Sequence, residues 1–182
     1  MQKALRYHFR DFLGLAFLSI LSFLSILYST TSHAEDWQHF EKMATQTIKS
    51  VEKGHPRDID QLISLQEQLM EIGIKACKNY AIANPQDAKM FQLVVSNAEN
   101  MKILSLQEIK QQWHAKRFLL SHGIPADKLH QNSTTGSLLD AVVHPATAYI
   151  ALREYRRTRD AALLEQVNLE LSEAVLQLTY LQ

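Results

Sequence analysis

The residues best suited to chemistry in this chain are Asp140, His144 and Thr147, with His114 some thirty positions earlier. His144 follows Asp140 by four residues, so on a continuous helix the two side chains stack one turn apart, with Thr147 on the next turn. A carboxylate beside an imidazole can hold one ring N–H and so orient the other nitrogen, either as a base or as a metal ligand. His114, next to Trp113, supplies a second imidazole, with Glu108 and His122 on the same segment. These residues define a candidate functional stripe of Asp140, His144 and Thr147. They also define a candidate transition-metal site of His144, His114 and Asp140, since imidazole and carboxylate suit such ions. The established ligand spacings do not accompany it. Glu108 and His114 do not form the Glu-x-x-His of di-iron bundles, and neither H-E-x-x-H nor a multi-cysteine zinc pattern occurs.

Two further chemistries deserve weighing. Haem b bound without covalent attachment would take His144 or His114 as one axial ligand and Met43, Met70, Met90 or Met101 as the other. Methionine at helical spacing, however, is commonly core filler. A small enzyme could use His144, oriented by Asp140, as a general base. No G-x-S-x-G elbow or glycine-rich phosphate loop accompanies the pair, and no histidine neighbours Cys77 in sequence. The plainest alternative is structural: a buried His144 whose ring N–H is held by Asp140, or a His144 that caps a fresh helix opening at Pro145.

The element that must position these groups is Ser137–Arg157. Leu139, Val143, Ala146 and Ile150 share one side at helical spacing, and Leu138, Val142 and Tyr149 form the neighbouring one. Asp140, His144, Thr147 and Ala151 are left as a narrow stripe. A helix apolar around most of its circumference is buried, so this is the expected central helix. Pro145 cannot donate to the carbonyl of Ala141, which frees that carbonyl and tends to bend the axis.

Glycine and proline at Gly54, Pro56, Asn84-Pro85, Gly123, Pro125 and Gly136 divide the remainder into helical segments. The first, Asp36–Lys53, is amphipathic. The second runs from Asp58 to about Ala83, with Ile59, Leu62, Gln66, Leu69, Gly73, Ala76 and Tyr80 on one face. Asn84-Pro85-x-Asp87 reads as an N-cap, an N1 proline and a first-turn acid opening a third segment, whose apolar face is Phe91, Val94, Val95, Ala98 and Met101. Ser105-x-x-Glu108 is a capping box opening a fourth, which ends at Gly123. A polar loop over 124–136 and a second capping box, Ser137-x-x-Asp140, lead into the central helix. In the last segment Leu164, Val167, Leu171, Ala174, Leu178 and Leu181 alternate spacings of three and four, the seam by which helices pack at shallow angles. At this length it reads as a bundle seam, with a homodimer through the C-terminal heptad helix as the alternative. The basic cluster Arg153, Arg156, Arg157 and Arg159 is expected to cap the C-terminal end of the central helix, with an acidic partner docking there as the lesser alternative. No period-2 run of β-branched residues occurs. The expected fold is all-α, an antiparallel helical bundle of about five to six helices with a four-helix-bundle-like core.

The N-terminus reads as an export signal. Lys3, Arg6 and Arg10 precede an uncharged apolar run from Phe12 to Tyr28, and Ser32 and Ala34 supply the small residues of a cleavage site. Residues 1–34 are therefore the expected signal peptide, cleaved after Ala34, and residues 35–182 a single domain that is periplasmic or secreted. An uncleaved N-terminal membrane anchor is the alternative. The whole chain balances 19 basic against 19 acidic residues, and loss of Lys3, Arg6, Arg10 and Asp11 leaves it slightly negative. That charge argues against nucleic acid as the partner. Cys77 is the only cysteine, so an internal disulfide and covalent c-type haem are excluded, and Cys77 is expected to be an inert buried thiol. The functional expectation is an exported binding or accessory protein for a protein partner or small ligand, without identifiable catalytic activity. The metal- or haem-binding bundle centred on His144 and the small enzyme using Asp140 and His144 stand as its rivals.

Overall fold

The breaks in helical pattern become chain reversals in the computed structural model, which describes residues 34–130 and 132–181. The expected signal segment, apart from Ala34, lies outside the described residues. The helices are α1 (residues 34–51), α2 (Ile59–Ala83), α3 (Ala88–Ile103), α4 (Leu106–Ile109), α5 (Arg117–Ser121), α6 (Thr134–Thr158) and α7 (Ala162–Gln177). A five-residue π turn, Lys110–His114, continues α4, and short 3-10 turns cover Pro85–Asp87, Ala126–Leu129 and Leu178–Tyr180. No strand occurs among the described residues, and the chain is an all-α helical bundle. No helix of the described residues is long and apolar enough to cross a membrane.

Residues Trp37–Gln182 form one unit with α6 at its centre, packed against α2, α3 and α7. Every residue of α6 from Gly136 to Ala148 is buried, polar stripe included. The faces expected of the neighbouring helices are buried against it: Leu62, Gln66, Leu69, Gly73 and Ala76 on α2, and Phe91, Val94, Ala98 and Met101 on α3. On α7, Leu164, Val167, Leu171 and Ala174 are buried, as is Leu178 just beyond it, so the heptad seam belongs to the chain's own core.

Several local expectations are corrected. Helix α6 is capped by Ser133, whose side chain accepts from the Gly136 N–H at 3.1 Å. It therefore starts before Ser137, and Ser137 and Asp140 lie buried within it instead of forming a capping box. It also runs unbroken through Pro145, so His144 caps nothing. Asn84 makes no side-chain cap for a following helix; its amide donates backward to the Tyr80 carbonyl at 3.0 Å. The Ser105–Glu108 capping box forms as read, with the reciprocal bonds at 3.2 and 2.8 Å. The fourth segment is broken in the middle, where Lys116 adopts a left-handed φ of 58° between the π turn and α5. Three of the four basic residues sit at the end of α6 as expected, Arg156 and Arg157 in its last turn and Arg159 at its C-cap, whereas Arg153 serves another helix. Arg153 donates to the Lys102 carbonyl at 2.8 Å and so caps α3, Arg156 pairs with Asp60, and the Arg159 guanidinium lies 5.6 Å from the Tyr155 ring centre.

The carbonyl freed by Pro145 has a definite neighbour. A Cβ built on Gly73 would lie 2.5 Å from the Ala141 oxygen and 2.9 Å from a methyl of Val142. The absent side chain at Gly73 is thus what lets α2 approach the proline-interrupted stretch of α6. One turn later on α2, Cys77 is buried with its Sγ 3.4 Å from the Leu138 carbonyl, and burial raises its thiol pKa strongly. Gly73→Ala is expected to destabilise by about 1–3 kcal/mol through overpacking against backbone, although alanine in a helix normally gains about 1 kcal/mol over glycine. A urea titration showing stabilisation would mean the two helices separate at no cost.

Candidate metal centre

The site is assembled from three elements that are distant in sequence. The π turn comes first. Its defining bond, from the Ala115 N–H to the Lys110 carbonyl at 2.9 Å, widens the turn by one residue. On a regular α-helix Ile109 and Trp113 would share a face and His114 would point well to one side. The wider turn lets Trp113 be buried while the His114 side chain, 24% exposed, still faces α6. Helix α6 supplies His144, 4% exposed, and Thr147 from the expected stripe. Helix α7 supplies Glu170, 5% exposed, which no sequence pattern had singled out.

These side chains meet closely. The His144 Nδ1 lies 2.7 Å from the Glu170 Oε2, and the His114 Nε2 lies 3.4 Å from that same oxygen. The two rings pack edge to face with centres 5.0 Å apart. The His114 Nε2 is also 2.8 Å from the Thr147 Oγ1, while the Thr147 hydroxyl donates to the Val143 carbonyl at 2.9 Å. The other Glu170 oxygen accepts from the Gln166 amide, and the Gln166 carbonyl accepts from Lys110 at 2.6 Å. One ligand atom each from His114, His144 and Glu170 falls within 4.8 Å of the others, the only such group among the described residues.

Asp140 sits elsewhere than expected. Its Oδ1 is 4.0 Å from the Nε2 of His144, too long for a hydrogen bond and on the far side of the ring from Glu170. Glu173, 64% exposed, approaches the same nitrogen at 3.8 Å. Of the expected trio, His144 and His114 come together, but the carboxylate that meets them is Glu170, with Asp140 behind the His144 ring. The structural expectation that Asp140 holds the His144 ring is corrected, since the bonded carboxylate is that of Glu170. His122 turns away to the Phe118 carbonyl, 2.7 Å distant on the exposed side. The four methionines considered as haem ligands, Met43, Met70, Met90 and Met101, are buried in the hydrophobic core.

No protein-family model matches the chain, and no curated protein or solved structure is significantly similar to it. The site must be understood from its own geometry.

Electrostatics divides the two imidazoles. Burial pulls the His114 ring down to about 4; the nearby charges of His144 and Lys110 act in the same direction, and Glu170 opposes them. His114 is thus neutral near pH 7 and carries an uncharged nitrogen donor. Burial also acts to lower His144, but the Glu170 hydrogen bond and the charges of Asp140, Glu170 and Glu173 outweigh it, so its pKa is raised. Burial raises the Asp140 carboxyl, with His144 and Lys116 opposing. Chemically the group offers two imidazole nitrogens and one carboxylate, a donor set suited to zinc and to divalent iron, cobalt or nickel. The three charge-bearing neighbours Asp140, Glu173 and Lys110 surround it without entering it.

Proposed function

We propose that the chain is an exported helical-bundle protein that binds one divalent transition-metal ion through His114, His144 and Glu170. The observation that carries this reading is the convergence of two imidazoles and a carboxylate, from the π turn, α6 and α7, within one ligand sphere. A helix-widening π turn at one corner adds weight, because such turns cluster at functional sites. Export rests on the N-terminal sequence signal alone. Haem fits less well. The His144 ring is engaged by Glu170 at 2.7 Å and contacts the second imidazole, a spacing that admits no porphyrin. An enzyme using Asp140 and His144 is disfavoured by the burial of both side chains.

A second reading has its own support: the chain Lys110–Gln166–Glu170–His144 is hydrogen-bonded throughout and would stand as a closed polar network inside the bundle. Thermal melting separates the two. Chelator-treated protein given zinc at about a hundred times its dissociation constant should gain about 2.7 kcal/mol of stability. His114→Ala should remove that gain. A melting temperature indifferent to zinc, cobalt, nickel and iron(II) would leave the closed network as the account.

A further inference from the structure

Metal binding requires a bare nitrogen on each imidazole, and the hydrogen bonds around the two rings show where each keeps its proton without metal. The Thr147 hydroxyl has one hydrogen and gives it to the Val143 carbonyl at 2.9 Å. At the 2.8 Å contact with His114 it must therefore accept, so the His114 Nε2 carries the N–H. The Glu170 oxygen 3.4 Å from that nitrogen favours the same tautomer, since a carboxylate facing a ring nitrogen accepts and does not donate. That nitrogen is also the one turned toward the metal ligand group. At His144 the Glu170 oxygen, 2.7 Å from Nδ1, likewise accepts from the ring, so this nitrogen too carries an N–H without metal.

We infer, resting on the metal-binding reading above, that Thr147 is a positioning residue that sets the tautomer of His114 and lowers metal affinity. Thr147 holds His114 in the tautomer that must be given up on binding. The hydroxyl thus restrains binding.

The test is zinc affinity by isothermal titration of the full mature chain, with the ring tautomers read by long-range proton–nitrogen NMR. Thr147→Val removes the restraining acceptor and should bind zinc about three- to tenfold more tightly, the weight of one neutral hydrogen bond. Thr147→Ser keeps the hydroxyl and should match the unaltered protein. In the unaltered protein the NMR should place the His114 proton on Nε2 without metal and on Nδ1 with zinc, a readout that does not depend on any variant folding. An unchanged or weaker affinity for Thr147→Val, or a metal-free His114 protonated on Nδ1, overturns the inference while leaving the metal site standing. Absence of zinc binding by the unaltered protein overturns the metal reading itself, and this inference with it.

Discussion

His144→Leu is expected to destabilise the metal-free protein by about 3 kcal/mol, since removing one member of a buried polar pair strands the other. The stranded group is Glu170, 5% exposed, which would keep the Gln166 amide on one oxygen and only the longer 3.4 Å approach of His114 on the other. The double substitution His144→Leu, Glu170→Leu removes both polar groups and should recover much of the loss. Both variants should lose every response to added metal. The partner in this cycle is Glu170 and not Asp140, whose oxygen lies 4.0 Å from the ring and makes no direct bond to it. Chemical denaturation of the two singles and the double gives the coupling directly. Additive losses with no recovery would mean that Glu170 finds other partners once His144 is gone.

Leu171→Ala should lower stability by about 2–5 kcal/mol, the range for a large aliphatic side chain truncated in a packed core. Leu171 is fully buried, at 0% exposure, in the seam by which α7 packs on α6. It is also the residue next to Glu170, so a cavity there loosens the helix that carries one ligand. The zinc-induced gain in melting temperature should therefore shrink along with the stability. A loss below about half a kcal/mol, typical of surface positions, would show that the seam is not the interior it is described to be.

The fold was legible because its determinants are local and periodic. The α7 seam, the α2 and α3 faces and the all-round burial of α6 each follow from which residues recur every three or four positions. The Ser105–Glu108 box was readable for the same reason, as its two bonds span only three residues. Boundaries were less legible where two caps competed. Ser133 and Ser137 both have the side chain of an N-cap, and burial of Gly136–Ala148, Ser137 included, selects the earlier one. Pro145 signals a break, yet α6 runs through it, and Gly73 packs closely on the Ala141 carbonyl that the proline leaves free. That approach between Gly73 and Ala141 has no mark in the sequence.

The site was half legible. Asp140, His144 and Thr147 stand out as polar residues on an otherwise apolar helix, and His114 as the imidazole nearest to hand. Glu170 did not, because it flanks the heptad seam beside Leu171, where a carboxylate is ordinarily solvated. A seam wider than the strict a/d pair buries that flanking position, and a buried carboxylate needs a partner. Setting the flank of α7 against the polar stripe of α6 would have found it. The π turn that aims His114 has no sequence signature of its own.

On the proposed reading, His114, His144 and Glu170 together hold one metal ion. Cobalt(II) titration followed in the visible range tests it most directly, because the spectrum reports stoichiometry and donor type at once. Saturation is expected at one equivalent, with d–d bands of a nitrogen–oxygen site and no sulfur charge-transfer band, since Cys77 is buried beside Leu138 and takes no part. Those bands should vanish in His114→Ala and in His144→Leu. A featureless titration, or bands that persist unchanged in both variants, would contradict it.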